Sequence, residues 1–192
     1  MTTLKREQWD VKEKADWWSA GQARRQETLG RATEMMLDMA GVQSGSRVLD
    51  VAAGTGESSL MAARRVGPTG YVLAVDFSAS MLNAAAEAAR NEGINNVETR
   101  VMNAEALELD EDSFDAVISR IALMVFPSPA KALTEMRRVV KSNGKLGGYR
   151  YGTDKKKDLL EKEGISIING TIVDNFENIR FHSQDFDSKK RK

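Results

Sequence analysis

Cysteine is absent from the 192-residue sequence, histidine occurs once, and no apolar run approaches the ~20 residues needed to span a bilayer. The first absence removes disulfides, thiolate catalysis and cysteine-ligated metals, leaves the redox compartment open, and goes with an expectation of no metal site. The lack of an apolar span, together with an N-terminus that shows no signal-peptide pattern, leads to the expectation of a soluble, cytoplasmic protein. An excess of either charge sign is missing as well, since Lys plus Arg and Asp plus Glu number 28 each. Without a basic field, neither nucleic acid nor an anionic membrane is an expected partner, and small or neutral molecules are favoured. The length suits one domain, residues 1–192, with a sizeable core.

What is present is organised around Arg47–Ala63, which reads R-V-L-D-V-A-A-G-T-G-E-S-S-L-M-A-A. An apolar run (Val48, Leu49, Val51) passes through a turn containing Gly54 and Gly56 into apolar residues at helical spacing (Leu60, Met61, Ala63). Strand, tight turn and helix follow from that pattern. Glycines let the chain turn sharply and let a ligand approach the backbone, while the helix N-terminus behind them offers unpaired N–H donors. A purely structural turn is the alternative. Asp50 closes the strand, Glu57 opens the helix, and no Lys or Arg lies between Ala52 and Ala63, which suits a ligand carrying positive charge rather than a pyrophosphate. Ser59 stands where a dinucleotide fingerprint would need glycine, and no phosphate-loop Gly-Lys-Ser/Thr follows the turn.

Tyr71–Val75 is a second β-favouring run, ending in Asp76, where a carboxylate can accept hydrogen bonds from ribose hydroxyls. Together, V-L-D-V-A-A-G-T-G, V-L-A-V-D-F-S-A-S-M-L and N-A-E-A-L-E-L-D-E-D-S-F-D-A-V-I-S resemble the class I S-adenosylmethionine-dependent methyltransferases. The likeness is greatest to the ubiquinone and menaquinone biosynthesis C-methyltransferase branch and covers roughly residues 44–146. It implies an α/β fold with a doubly wound, mostly parallel, Rossmann-like sheet. It also implies an N-terminal helical lid (1–40), a cofactor-binding core (44–151) and a C-terminal antiparallel strand pair.

The remaining elements fit that frame. Residues 1–40 read as two helices separated near Ser19-Ala20-Gly21, with an inward stripe of Leu29, Ala32, Thr33, Met36 and Met39 or Ala40. Trp9, Trp17 and Trp18 gather there, either as packing or, as the resemblance implies, in a lid over the substrate cavity where an indole face can attract a sulfonium. Ser78 is an N-cap for a helix to about Asn91, stopped by Gly93. Val97–Met102 and Phe114–Ser119 read as strands three and four, with Asp110–Asp112 a solvated loop between them. Ser128 and Pro129 open a helix to about Lys141, and Asn143-Gly144 then separates it from a fifth strand, Lys145–Tyr151. Beyond this, a short helix Lys155–Glu163 and strands Ile165–Val173 and Ile179–Phe186 make a shortened C-terminal part (152–187), followed by a basic tail, 188–192.

The resemblance implies S-adenosylmethionine as cofactor, and in-line methyl transfer to a small organic acceptor as activity. The implied contacts are Asp50, Ala52, Gly54 and Gly56 in the turn, Asp76 on the ribose, and Asn103 with Ala104 on adenine. Asp50 either orders the loop or receives the methionine amino group. Phe77 and Met81 cover the adenine ring or belong to the core, and Arg120 lies beside the cleft. In the family an acidic residue commonly stands where this chain has Asn103, whose side-chain carbonyl can still accept. Many relatives carry His near Met124; here no catalytic residue is identifiable, and His182, the single histidine, fits an ordinary surface or strand role better than catalysis. A non-catalytic cofactor-binding or accessory protein is therefore the alternative function. The short C-terminal part implies either a small acceptor or an open site shared with a partner or a second copy, as in a homodimer.

Overall fold

A computed structural model describes residues 10–147, 167–168 and 171–172. The chain divides into two compact units, residues 1–150 and 151–192. The first begins with two helices, α1 (Lys12–Ala20) and α2 (Gln22–Met39), that break at Gly21. There follow β1 (Arg47–Val51), α3 (Glu57–Val66), β2 (Tyr71–Asp76), α4 (Ala79–Asn91), β3 (Val97–Val101), β4 (Phe114–Ile118), α5 (Pro129–Val139) and β5 (Val140–Gly147).

The five strands form one parallel sheet in the order β3-β2-β1-β4-β5. Both faces of β1 are covered, so Val48 through Val51 are all buried instead of alternating. Val48, Val72, Ala116 and Ile118 pack against Met36 and Leu37 of α2 and Met61, Ala62 and Val66 of α3. On the other face, Leu49, Val51, Leu73, Val75 and Val117 meet Ala132, Met136 and Val139 of α5. Because the connections turn opposite ways from β1, the strand order reverses between β1 and β4, and a crevice opens beyond their C-terminal ends.

Local chemistry sets most of the boundaries. Ser78 accepts a hydrogen bond from Met81 N at 3.2 Å and starts α4. Gly93, at φ +67°, stops it. Of the stripe expected on α2, Thr33, Met36 and Ala40 are buried and Leu29 is half-buried; Gly30 and Leu37 join them, while Ala32 is exposed.

Two sequence expectations are corrected. Helix α5 stops at Val139, because the adjacent β-branched Val140 is extended (φ −84°, ψ 136°) and pairs with Phe114. Asn143-Gly144 is consequently inside β5, where the register jumps from Phe114↔Val140 to Ala116↔Lys145. A Cβ on Gly144 would lie 2.7 Å from Asp115 O, so the bulge needs glycine for close backbone approach. In the second unit, β6 (Ile167–Ile168) pairs antiparallel with β7 (Thr171–Ile172), so both fall within the single strand expected over Ile165–Val173. The expected helix Lys155–Glu163, the strand Ile179–Phe186, His182 and the basic tail lie outside the described residues.

Candidate functional site

The crevice at the strand ends holds a cavity of about 270 Å³, just under the usual ~300–1,000 Å³ of small-molecule sites. Its floor comes from the β1 turn (Ala52, Gly54), the end of β2 (Asp76, Phe77), the segment after β3 (Asn103, Ala104) and the segment after β4 (Arg120, Ile121). Trp18 of α1 and Arg25 and Leu29 of α2 complete the wall.

Asp76 is the most constrained acceptor on this floor. Its Oδ1 accepts from Ser78 N at 3.0 Å, and its Oδ2 accepts from Gly54 N at 2.9 Å. Burial raises its pKa from the ordinary carboxylate value, while N–H donors from Ser78, Gly54 and Phe77 pull in the opposite direction. The side chain is thus aimed and fixed by the glycine turn, with acceptor capacity remaining. Met81 and Met102, both buried, and half-buried Phe77 provide the apolar surface around it.

Asp50 and Gly56 do not line the cavity. Asp50 is fully buried, and its Oδ2 accepts from Ser58 Oγ at 2.7 Å and Ser59 Oγ at 2.6 Å, tying β1 to the first turn of α3. Burial pushes its pKa up to about 6 against those hydroxyls, and Oδ1 has no partner. Gly56 takes a left-handed conformation (φ +86°), and a Cβ there would come 2.8 Å from Ala85 Cβ, so glycine is needed for the approach of α4. Gly54 (φ +58°) does face the cavity, with Trp18 Nε1 3.8 Å from where its Cβ would be. Two non-glycine residues at the site, Ala52 (φ +59°) and Ile121 (φ +58°), also hold left-handed backbone.

Asn103 is exposed; its Oδ1 accepts from Glu105 N at 3.1 Å, closing an Asx-type turn that leaves one carbonyl lone pair. Beside it, Ala104 is half-buried on the cavity floor.

The electrostatics of the turn differ from those legible in the local sequence. Glu57, which in the sequence opens the helix of an acidic turn, is buried between two arginines brought from elsewhere in the chain. Arg25 Nε donates to Glu57 Oε1 at 2.7 Å, and Arg120 Nη2 donates to Oε2 at 2.6 Å. Arg120 Nη1 also donates to Thr33 Oγ1 at 2.9 Å, and Arg25 lies 4.7 Å from the Trp18 ring centre. Among the described residues no cluster has the makings of a metal site.

Sequence reading missed Arg25 because nothing in its neighbourhood forms a motif. The only available signal was its position seven residues after Trp18, on the helix expected to lie over the cleft. One further contact joins that region to the core: Asp10 Oδ1 accepts from Ser78 Oγ at 3.0 Å and Ser80 N at 3.1 Å, at the start of α4.

A family model described as a methyltransferase domain matches residues 42–147. The ubiquinone/menaquinone biosynthesis C-methyltransferase of Pasteurella multocida is 41% identical over 111 residues, covering 57% of this chain and 41% of that protein. The chain therefore spans less than half the length of that relative. Among solved structures, an S-adenosylmethionine-dependent methyltransferase from Aquifex aeolicus aligns with a TM-score of 0.59 at 27% identity, over 70% of this chain and 79% of that one. Geranyl diphosphate C-methyltransferase from Streptomyces coelicolor A3(2), solved with S-adenosyl-L-homocysteine, aligns with a TM-score of 0.56 at 25% identity, over 61% and 43% of the two chains.

Proposed function

The chain belongs to the methyltransferase-domain family, and from that membership we propose that it is an S-adenosylmethionine-dependent methyltransferase acting on a small organic acceptor. The observation that carries the reading is Asp76, held at the end of β2 by Gly54 N and Ser78 N so that its remaining acceptor capacity faces the cavity. A ribose with two adjacent hydroxyls matches it.

The other residues fit the cofactor's parts. Phe77, Met81 and Met102 offer apolar surface for a purine, and Asn103 retains an acceptor beside the Ala104 backbone. The left-handed turn at Ala52 and Gly54 bares backbone to the methionyl part. Asp50, behind the turn, fixes that shape through Ser58 and Ser59. Bound there, S-adenosylmethionine supplies an electrophilic methyl group on a sulfonium that leaves as a neutral thioether. Such transfer needs alignment and exclusion of water more than acid–base chemistry, and Trp18 and Arg25 on the helices over the turn provide a wall for both. No base is assigned.

Calorimetric titration with S-adenosylhomocysteine, S-adenosylmethionine and NADH tests the reading. Both sulfur compounds bind, and Asp76→Ala weakens them by about ten-fold or more, as loss of a hydrogen bond to a charged group requires. Failure of the wild-type protein to bind either, or binding of NADH alone, would overturn it.

A further inference from the structure

Two acidic side chains line the cavity, Asp76 and Glu105, and the reading above uses only the first. The sheet register puts them on one side of the crevice. Asp76, at the end of β2, is opposite Val101 of β3, and Met102 N donates to Asp76 O at 2.9 Å, so the chain leaving β3 passes Asp76 before it reaches Glu105. Arg120 follows β4, on the far side of β1. The turn that carries Glu105 is closed twice: Asn103 Oδ1 accepts from Glu105 N at 3.1 Å, and Asn103 O accepts from Ala106 N at 3.0 Å. The half-buried carboxylate is fixed as well, because Glu105 Oε1 accepts from Ser128 N, at the start of α5, at 2.8 Å. Among the described residues Glu105 Oε2 meets no donor and no cation pairs with this side chain. The lining that comes from the same two strand ends is otherwise mostly apolar: Phe77 and Met81 after β2, Met102 and Ala104 after β3.

An ionised carboxylate with one oxygen held and one uncommitted is a fixed acceptor that cannot donate. A ligand edge that faces it must bring an N–H or O–H, and a carbonyl there is repelled. With a ribose on Asp76, the apolar surface from Phe77 to Ala104 takes the base, whose outer edge then meets Glu105. We propose that Glu105 reads the base of the cofactor: Oε2 accepts from the exocyclic 6-amino group of adenine, so the site selects 6-aminopurine nucleosides and rejects 6-oxo ones. Hydrogen bonds to an ionised acceptor are about twice as strong as neutral ones, and a site built around such a bond discriminates against ligands that lack the donor. This rests on the cofactor reading above and gives the amino group to Glu105 rather than to exposed Asn103, whose carbonyl is engaged within its own turn.

Glutamine at this position reverses the polarity in a fixed sense. Ser128 N needs an acceptor, which keeps the amide carbonyl there and turns the amide NH2 toward the cavity. The experiment is calorimetric titration of the full chain with S-adenosylhomocysteine, with S-inosylhomocysteine, which carries a 6-oxo group, and with the counterpart built on unsubstituted purine. We expect the wild-type protein to bind S-adenosylhomocysteine about ten-fold or more tighter than the unsubstituted compound, with S-inosylhomocysteine weakest. Glu105→Gln should bring S-adenosylhomocysteine down to the unsubstituted compound and raise S-inosylhomocysteine above its wild-type affinity. A residue that only anchors α5 would, on substitution, weaken all three ligands alike, so opposite signs for the amino and oxo compounds are decisive. Equal binding of the three by the wild-type protein would overturn the proposal and leave the cofactor reading standing, a comparison that needs no variant to fold. A 6-amino preference that Glu105→Gln leaves intact would also overturn it. Failure of the wild-type protein to bind any of the three would overturn both.

Discussion

Asp50 shows how a carboxylate can order a loop without lining the cavity beside it. Its folded pKa, about 6, lies above the ordinary value of 3.8, so the folded state holds a proton that the unfolded chain releases. Its contribution to stability is complete below about pH 4 and is lost as pH rises through about 6. Asp50→Asn, which keeps an acceptor for Ser58 and Ser59, should flatten that slope and raise stability at pH 7 by up to ~3 kcal/mol, two pKa units' worth. Urea denaturation at pH 4, 6 and 8 measures it. The upward shift of Asp76 has a different consequence: affinity for S-adenosylhomocysteine should begin to fall on acidification above the ordinary carboxylate range, and calorimetry across pH 4 to 7 checks this. Gly56→Ala should cost about 2–4 kcal/mol, combining left-handed strain with the 2.8 Å contact to Ala85. Ala52→Gly runs the other way, relieving φ +59° for a gain of up to ~1 kcal/mol in thermal or urea melts.

At the scale of elements, the site is assembled by pieces that differ in how far the sequence reveals them. The β1–turn–α3 and β2 units announce themselves through contiguous apolar runs and nearby glycines, so Asp76, Gly54 and Phe77 were legible. Arg25 was not, because its partner Glu57 is 32 residues away and the pairing exists only once α2 packs beside α3. The Asn143-Gly144 pair misled for a related reason: asparagine and glycine signal a break in the chain, and whether the break is a turn or a bulge is decided by Asp115 on the neighbouring strand. The fastening of α1 also depends on tertiary placement. Asp10 has its pKa lowered by its bonds to Ser80 N and the Ser78 hydroxyl, so that attachment holds above the ordinary carboxylate range and releases as pH falls below it. Asp10→Ala should speed amide hydrogen exchange several-fold in α1 and the first turn of α4, with α5 unchanged.

For the whole molecule, a ligand that binds only the folded state should stabilise it by about 2.7 kcal/mol at a hundred times its dissociation constant. Raised melting temperature with S-adenosylhomocysteine is the corresponding observation. The central position of β1 has a temporal side as well. On one edge its partner β2, and β3 beyond it, follow directly in the chain, but on the other edge Val48 must wait for Ala116. At roughly 5–20 residues per second of synthesis, that edge stays open for several seconds on the ribosome. The strand that carries the glycine turn is therefore, while the chain is being made, an unpaired apolar edge open to other nascent chains. Newly made protein should accordingly depend on chaperones more than its finished, fully paired sheet would indicate.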